Sequence, residues 1–203
     1  MKDKIVQKAS NLFLKLGFKS VTMDDIAAAL AISKKTIYIH FKNKTSLVEE
    51  CAFSVFRKIT TRIEEIRAES PNPIEELFEI KKYVMDKIEG EQTSSQYQLQ
   101  KYYPEISKNI KAYQFDKFLN YTIDNLHRGI KHGYYRENLN TELVARLYFL
   151  GIHGIKDQNL FPKEKFSPTL LNQEYLIYHL RSIVTSKGLS TLNKLLNANT
   201  HDE

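Results

Sequence analysis

Apolar residues recur every three or four positions along most of the chain, which is the spacing of amphipathic helices. A first helix ends near Leu16, where Gly17 occupies the position of a left-handed C-terminal cap. A second begins at Thr22, which can form a capping box with Asp25, and a third follows the potential cap Ser33 and runs to about His40. The pattern therefore predicts three short helices in close succession.

The periodicity continues through the rest of the chain, interrupted by short breaks. A long fourth helix, capped by Asn43, ends at the Ser70–Pro73 segment. We expect later helices over 74–88 (closed by Gly90), up to Pro104, from there to about His132, and over 141–156, 169–186 and 190–197, with 91–95 and 159–168 as loops. The sequence thus predicts an all-α protein of about nine to ten helices.

The composition indicates a folded protein and favours a reducing compartment. The chain has 203 residues, of which 42% are hydrophobic, and its few glycines and prolines disfavour a turn-rich β-sandwich. The single cysteine, Cys51, cannot form an internal disulfide, which favours a reducing compartment such as the cytoplasm. We find no pattern of a signal peptide and no apolar run long enough to span a membrane.

The positive charge is concentrated at the start of the chain. Residues 1–48 hold nine lysines and three aspartates, so they carry the entire net charge of +6. Lysines gathered in this way can neutralise the phosphates of a nucleic acid, although clustered lysines are also common on an ordinary solvated surface. Charge alone leaves both interpretations open.

The second and third helices resemble a helix-turn-helix reader, in which the second helix of the pair enters the major groove. Ile37 and Phe41 would dock that helix on the core, and its first turn would reach base edges. The alternative is that its lysines only keep a small helical module soluble. The residues that we expect to contact DNA are Lys34, Lys35 and Thr36 in the first turn of the third helix, with Tyr38, His40, Lys42 and Lys44 as further hydrogen-bond donors.

Residues 22–48 read TMDDIAAALAISKKTIYIHFKNKTSLV and closely resemble the signature of the TetR (tetracycline-repressor) family. The resemblance implies an N-terminal helix-turn-helix DNA-binding domain at 1–48 and a C-terminal ligand-sensing and dimerisation domain at 49–203. It implies that Ser33 caps the recognition helix, that the positions of Lys34, Lys35, Thr36 and Ile39 face bases, and that those of Thr22, Tyr38, His40 and Lys44 contact the DNA backbone.

One position departs from the family pattern. Ala31 stands in the turn where the family usually has glycine. If φ is positive there, alanine costs about 1 kcal/mol relative to glycine. We expect a slightly strained or reshaped turn with function retained.

The family resemblance also implies a homodimer. In that family, the last two long helices of each subunit usually pair with those of a second subunit. The corresponding segments here, 141–156 and 169–186, are more apolar than one core-facing stripe requires. The alternative is burial within one subunit. The predicted interface residues are Leu143, Leu147, Leu150, Gly151, Gly154, Leu176, Leu180 and Ile183, with the two glycines permitting close helix approach. Such a dimer implies a nearly palindromic operator.

The resemblance further implies an inducer pocket around the sixth and seventh helices, which are rich in aromatic residues. A small apolar or aromatic molecule would suit it and would release the repressor from DNA. Aromatic residues at helical spacing are also ordinary core, so both interpretations stay open. The candidate ligand-binding residues are Tyr97, Tyr102, Tyr103, Tyr113, Phe118, Tyr121 and Phe149, with Phe115 beside them.

Nothing in the sequence indicates catalysis, a metal site or a cofactor. His127 and His132 lie off the spacing of a helical metal pair, and Cys51 lies on an apolar face. We interpret His153 and His179 as satisfied interface or core residues. Two alternatives remain for the whole chain: an adaptor that binds another protein and not DNA, and a helical enzyme or carrier that uses the aromatic residues.

Overall fold

The first three helices match the predicted positions. In the computed structural model, which describes residues 1–88 and 93–199, α1 spans Lys2–Leu16, α2 spans Met23–Leu30 and α3 spans Lys34–His40. Gly17 ends α1 with a positive φ of 85°, but its ψ of 155° differs from that of the left-handed cap that we expected. Its N–H donates to the carbonyl of Phe13 and so closes the helix.

Seven further helices complete the described part of the chain, which is all-α as predicted. A backbone bridge joins Tyr135 to Val184 without forming a sheet. The helices are α4 (Lys44–Glu69), α5 (Pro73–Ile88), α6 (Thr93–Tyr102), α7 (Pro104–Lys131), α8 (Thr141–Gly154), α9 (Pro168–Ile183) and α10 (Ser186–Asn199).

Several helix boundaries differ from the predictions: α8 ends at Gly154 and not at 156, and α9 ends at Ile183 and not at 186. Residues 93–95, expected in a loop, begin α6, because a polar sequence without glycine or proline can still form a helix when its later residues pack. Leu99 and Tyr103, at the end of this segment, pack against a buried core. The last helix is also longer than expected. Gly90, residues 91–92 and residues 200–203 lie outside the described residues.

The chain divides into two compact units. The first unit comprises Met1–Arg62 with Asp86–Gln114, and the second comprises Ile63–Met85 with Phe115–Glu203. This division describes packing, whereas the predicted boundary at residue 48 concerns function and stays a prediction.

The core of the first unit joins α1, α2 and α3 to later helices. Ile5, Ile26, Ile37 and Leu47 are each fully buried there, and Ile106 of α7 packs against the same cluster. Burying an aliphatic side chain stabilises a fold by about 1.5–3 kcal/mol. The three short helices therefore gain their stability from tertiary packing, since isolated helices of this length are marginal in water.

The core of the second unit is built around Tyr135. Its ring is buried, and its hydroxyl donates to Oδ1 of Asn125 over 3.1 Å, while Nδ2 of Asn125 donates to the carbonyl of Pro73 over 2.9 Å. Gly129 is required beside it, because a Cβ atom there would lie 2.0 Å from the Tyr135 ring. Leu176, like Leu180 of the same helix, packs in the same cluster.

A buried carboxylate connects helices in this second unit. Glu76 of α5 is 1% exposed and accepts two hydrogen bonds from Arg128 of α7, at 2.9 and 2.7 Å. Arg67 of α4 lies 3.6 Å from the same carboxylate and also pairs with Asp124. Because Glu76 is paired on two sides, its charge is tolerated inside the fold.

Candidate nucleic-acid interface

The second helix begins with the predicted capping box. The N–H of Asp25 donates to Oγ1 of Thr22 over 3.2 Å, and the N–H and hydroxyl of Thr22 both donate to Oδ2 of Asp25 over 2.8 Å. The backbone hydrogen bond from Thr22 is the main cause that lowers the pKa of Asp25. Thr22 is exposed and held by these hydrogen bonds. Its position at the start of α2 therefore suits the predicted contact with the DNA backbone.

The turn between α2 and α3 is strained at Ala31. This residue has φ 51° and ψ 42°, in the left-handed region, and it is the one non-glycine residue with positive φ in the described part of the chain. Its N–H approaches the carbonyls of Ala27 and Ala28 and ends α2. The condition for the expected strain, a positive φ, is therefore met, and alanine is accommodated at an energetic cost.

The third helix is capped by Ser33, as predicted. Its Oγ accepts from the N–H of Thr36 over 3.1 Å and lies 2.8 Å from the Thr36 hydroxyl oxygen. Ile37 is fully buried and Phe41 is 4% exposed, so the inner face of α3 is docked as expected. The interpretation of these two residues as core is confirmed.

The outer face of α3 presents polar and apolar groups to solvent. Tyr38 is 45% exposed and Ile39 is 73% exposed, and Lys34, Lys35 and His40 are exposed as well. Thr36 is half-buried because its hydroxyl turns toward Ser33. An isolated, highly exposed isoleucine among cations can make apolar contact with a thymine methyl group.

Lys34 is paired in a way that the sequence did not indicate. Its Nζ donates to Oδ2 of Asp24 over 2.8 Å, and both side chains are largely exposed. The hydrogen bond to Asp24 is the main cause that raises the pKa of Lys34. Asp24 lies in the first turn of α2, ten residues before Lys34. From the sequence alone, a carboxylate at that position is expected only to interact with the helix dipole.

Lys44 is partly enclosed. Its Nζ lies 3.4 Å from the Lys19 carbonyl oxygen and 6.0 Å from the centre of the Phe13 ring. Burial is the main cause that lowers its pKa, and the nearby Asp25 charge opposes that shift. Lys44 therefore ties the start of α4 to the loop after α1, whereas Lys42 is exposed beside it.

The seven candidate ligand-binding residues fall in both compact units. Tyr97 and Tyr102 are exposed by 63% and 39%, Tyr103 packs edge-on against Phe18, and Tyr113 packs edge-on against Phe53, all in the first unit. Phe118, Tyr121 and Phe149 belong to the second. A small cavity of about 30 Å³ between α1 and α4, lined by Phe13, Phe18 and Cys51 among others, includes none of the seven.

An aromatic cluster joins α7, α8 and α9 within the second unit. The Phe149 ring centre lies 4.8 Å from that of Phe115 and 5.2 Å from that of Phe118, both in edge-to-face arrangements. Phe118 also contacts Tyr148, which stacks on His179 at 3.9 Å. Tyr121 is used differently, because its hydroxyl donates to a carboxylate oxygen of Glu64.

The predicted dimer residues separate into two groups. On α8, Leu143, Leu147 and Leu150 are exposed by 53%, 55% and 67%, and their spacing places them on one helix face. On α9 the prediction was wrong for three residues, because they are buried in the core of their own chain and cannot also face a partner. These residues are Leu176, Leu180 and Ile183, at 1%, 0% and 2% exposure.

The two glycines of α8 have different surroundings. A Cβ atom at Gly151 would lie 1.9 Å from the Tyr175 hydroxyl oxygen, so its close approach is to α9 of the same chain. That hydroxyl donates to the carbonyl of Leu147 over 3.1 Å. Gly154 has open space around its Cβ position.

The histidines and the cysteine have structural surroundings. His179 is 6% exposed and its Nε2 has no hydrogen-bond partner among the described residues, so our interpretation of it as satisfied was wrong. Burial lowers its pKa to about 4, which keeps the ring neutral. His153 is exposed, with Nδ1 2.9 Å from the carbonyl oxygen of Phe149. Cys51 is buried, as predicted, and burial raises its pKa to about 11.

Two broader features bear on the class of protein. No group of three or more histidine, cysteine or acidic side chains suited to a metal ion occurs within residues 1–88 and 93–199. Over the same ranges, every helix falls short of the combined length and apolar character of a membrane span.

Comparisons with known proteins agree with this geometry. Residues 5–51 match the family described as bacterial regulatory proteins, tetR family. The chain is 26% identical over 194 residues to the HTH-type transcriptional repressor KstR2 of Mycolicibacterium smegmatis, covering 92% of each protein. It is 40% identical over 62 residues to the biofilm operon icaADBC negative transcriptional regulator IcaR of Staphylococcus aureus, of which the match spans 33%.

The fold is likewise similar to a solved structure. A TetR-family transcriptional regulator from Streptomyces coelicolor superposes with a TM-score of 0.67 at 18% identity, covering 89% of this chain and 94% of that one. The family match lies on the capped helix pair and exposed α3 face described above, and the similarity to KstR2 continues beyond them. Residues 5–51 therefore belong to the tetR family of bacterial regulatory proteins, and over 92% of its length the chain is similar to the transcriptional repressor KstR2.

Proposed function

We propose that this protein is a repressor that binds a nearly palindromic operator as a homodimer and is released by a small apolar or aromatic inducer. The observation that carries the proposal is the outer face of α3, where lysines, Tyr38 and Ile39 are exposed while Ile37 and Phe41 hold the helix on its core. KstR2 and IcaR, which this chain resembles, are both described as negative regulators or repressors.

The contacts around α3 support base reading by a rigid helix. The caps at Thr22 and Ser33 fix both helices of the pair, which limits the conformational entropy lost on binding. Exposed lysines supply phosphate attraction, and the side chains of the first turn of α3 would supply discrimination between bases. Because operator DNA lies in the cytoplasm of a bacterium, this function implies a cytoplasmic protein.

The exposed leucines of α8 support the dimer. Leu143, Leu147 and Leu150 form an apolar stripe on a protein surface, and such stripes are typical of helix–helix interfaces. On α9, Tyr178 is 72% exposed and offers a further apolar surface. A two-fold dimer would present two copies of α3 to successive major grooves.

The proposal can be tested by selecting duplexes from a random pool with the purified protein, then measuring affinity for the enriched sequence over a range of salt concentrations. The test variant is Lys35→Ala with Tyr38→Ala, since both side chains are exposed on α3. The control is Lys163→Ala with Lys165→Ala, two exposed lysines of the α8–α9 loop, and it removes one more positive charge than the test variant does. Neither change removes a buried group.

We expect nanomolar binding to one inverted-repeat sequence, a loss of about 100-fold in the α3 variant and little change in the control. Enrichment of no sequence, together with weak binding that the α3 variant retains, would overturn the proposal and favour the adaptor. In that case the protein should instead be recovered with another regulator.

The inducer site is proposed around the aromatic cluster of the second unit. Phe118 and Phe149 meet edge-on there, and both belong to the candidate set. Compounds would be screened for release of the labelled operator. A compound that acts through this cluster should lose potency in Phe118→Ala but keep it in Phe161→Ala, a half-buried phenylalanine of the α8–α9 loop. Equal potency on both variants would place the inducer elsewhere.

A further inference from the structure

A second group of lysines and tyrosines lies outside the helix-turn-helix but within the same compact unit. Lys19 follows α1, and Lys101 and Tyr102 end α6. The Lys19 Nζ lies 5.6 Å from the Tyr102 ring centre, and the Lys101 Nζ lies 5.6 Å from it as well. The Lys101 Nζ also lies 5.7 Å from the ring centre of Tyr97. We name Lys19, Lys101, Tyr97 and Tyr102 the flanking patch.

The flanking patch is open to solvent. Tyr97 is 63% exposed, Tyr102 is 39% exposed, and both lysines are exposed. Neither ammonium forms an ion pair with any residue that the structure describes, in contrast to Lys34, which is paired with Asp24. Residues 15–21 and 97–103, from which the patch comes, contain no aspartate or glutamate. Both lysines therefore keep their positive charge at the surface without an ion pair to a described residue.

The patch is continuous with the predicted DNA-contacting surface. The Lys44 Nζ lies 3.4 Å from the Lys19 carbonyl oxygen, and Lys44 is one of the residues expected at the DNA backbone. Lys19 also lies three residues before Thr22, another such residue. The backbone of Lys19 thus links the flanking patch to the predicted DNA-contacting surface.

The aromatic rings give the two lysines a defined position. A cation beside a tyrosine ring is attracted to the ring face by about 0.5–1 kcal/mol at an exposed site. Two ammonium groups that share Tyr102 would repel each other in the free protein, and a phosphate between them would relieve that repulsion. Tyrosine hydroxyls can donate to the same phosphate oxygens.

We propose that the flanking patch binds the phosphate backbone of duplex DNA beyond the bases that α3 reads. This inference rests on the proposed function, which makes duplex DNA the partner. It extends the DNA interface from the helix-turn-helix to α6. The bound group is the sugar-phosphate backbone, so the contact adds affinity and widens the protected region without adding sequence preference.

The test compares wild type with Lys19→Ala/Lys101→Ala on the selected operator and on random duplex, over a range of salt concentrations. Each lost phosphate contact should reduce the slope of log K against log salt by about 0.9, so two lysines in both subunits of a dimer should reduce it by about 3.6. Affinity should fall about tenfold or more on both duplexes, and their ratio should be unchanged.

Two further variants separate charge from structure. Lys19→Arg/Lys101→Arg should retain the wild-type salt slope, because arginine also pairs with phosphate. Lys163→Ala/Lys165→Ala should retain it as well, since these lysines are far along the chain from the patch. Hydroxyl-radical footprinting should show the outermost protected sugars lost only in the alanine variant of the patch.

Each result has one meaning. A wild-type protein that binds the operator, with an unchanged salt slope and footprint in Lys19→Ala/Lys101→Ala, would overturn the flanking patch and leave the repressor function intact. A wild-type protein that selects no operator would overturn the repressor function itself. A reduced slope accompanied by a changed ratio between operator and random duplex would also contradict the inference, because backbone contacts carry no sequence information.

Discussion

The helix-turn-helix and the α8–α9 pair arrange polar and apolar residues in opposite ways. Around α3, lysines are exposed and Ile37 is fully buried, which is the ordinary arrangement of a soluble fold. In the α8–α9 pair, Leu147 and Leu150 are more than half exposed, while His179 is buried without a partner for Nε2. The first region is complete alone and presents charge to a polar partner, whereas the second exposes apolar surface that a partner would cover.

The largest effect that distinguishes buried from exposed leucines should come from Leu180→Ala on α9. Leu180 is fully buried in the core of the second unit, so truncation should lower the free energy of unfolding by about 2–5 kcal/mol. Chemical denaturation followed by circular dichroism would measure it. Leu150→Ala, at 67% exposure, provides the matched comparison, and a similar loss in a monomeric background would contradict our assignment of α9 to the core.

Leu147→Glu on α8 should act on association. Placing a carboxylate in the centre of the exposed stripe of α8 should weaken dimerisation by about 100-fold, roughly 3 kcal/mol, because the charge would be buried in the interface. Analytical ultracentrifugation at several concentrations measures the effect. Leu189→Glu, on a 40% exposed residue of α10, serves as control. If both variants dimerise as wild type does, the α8 stripe is not the interface.

The buried histidine should make stability depend on pH. The pKa of His179 is about 4 in the folded protein, below the ordinary histidine value of 6.5. As pH falls, the unfolded chain therefore binds the proton at a higher pH than the folded protein does. The stabilisation is complete above pH 6.5 and is lost towards pH 4. Between pH 7 and pH 4.5, wild type should lose about 2.5 kcal/mol more unfolding free energy than His179→Phe. Parallel curves for the two proteins would show that His179 takes up its proton at the same pH in the folded and unfolded states.

The smallest effect should be a gain in the helix-turn-helix. Ala31→Gly should raise the free energy of unfolding by about 0.5–1 kcal/mol, because glycine adopts a positive φ without the steric cost that alanine bears. The control Ala29→Gly, in the exposed interior of α2, should lower it by about 1 kcal/mol. Differential scanning calorimetry would resolve the pair, and equal losses in both variants would show that the turn is unstrained.

Local chemistry explains which features could be predicted from the sequence. The caps at Thr22 and Ser33 and the burial of Ile37 depend on residues three or four positions apart, so the pattern contains both partners. A strained turn at Ala31 could be anticipated from the family resemblance. These features cover the candidate reading surface and the first three helices.

Contacts between distant segments could not be predicted in this way. Helix α9 is apolar on more than one side, and periodicity alone does not tell which side faces its own core and which a partner. The pairing of Lys34 with Asp24 depends on the angle between α2 and α3. The approach of Tyr175 to Gly151 depends on the packing of α8 against α9. Such facts belong to tertiary structure.

The ion pair between Asp24 and Lys34 has a consequence for how the protein would search a chromosome. The Asp24 carboxylate lies 2.8 Å from the Lys34 ammonium in the free protein, so it would compete with any phosphate that approaches this lysine. On DNA of random sequence, Lys34 would exchange the Asp24 carboxylate only for a phosphate, so the protein would stay bound for a shorter time. On the operator, a base edge would add hydrogen bonds that compensate for the broken ion pair. We expect Asp24→Asn to dwell longer on irrelevant DNA and to reach its operator more slowly.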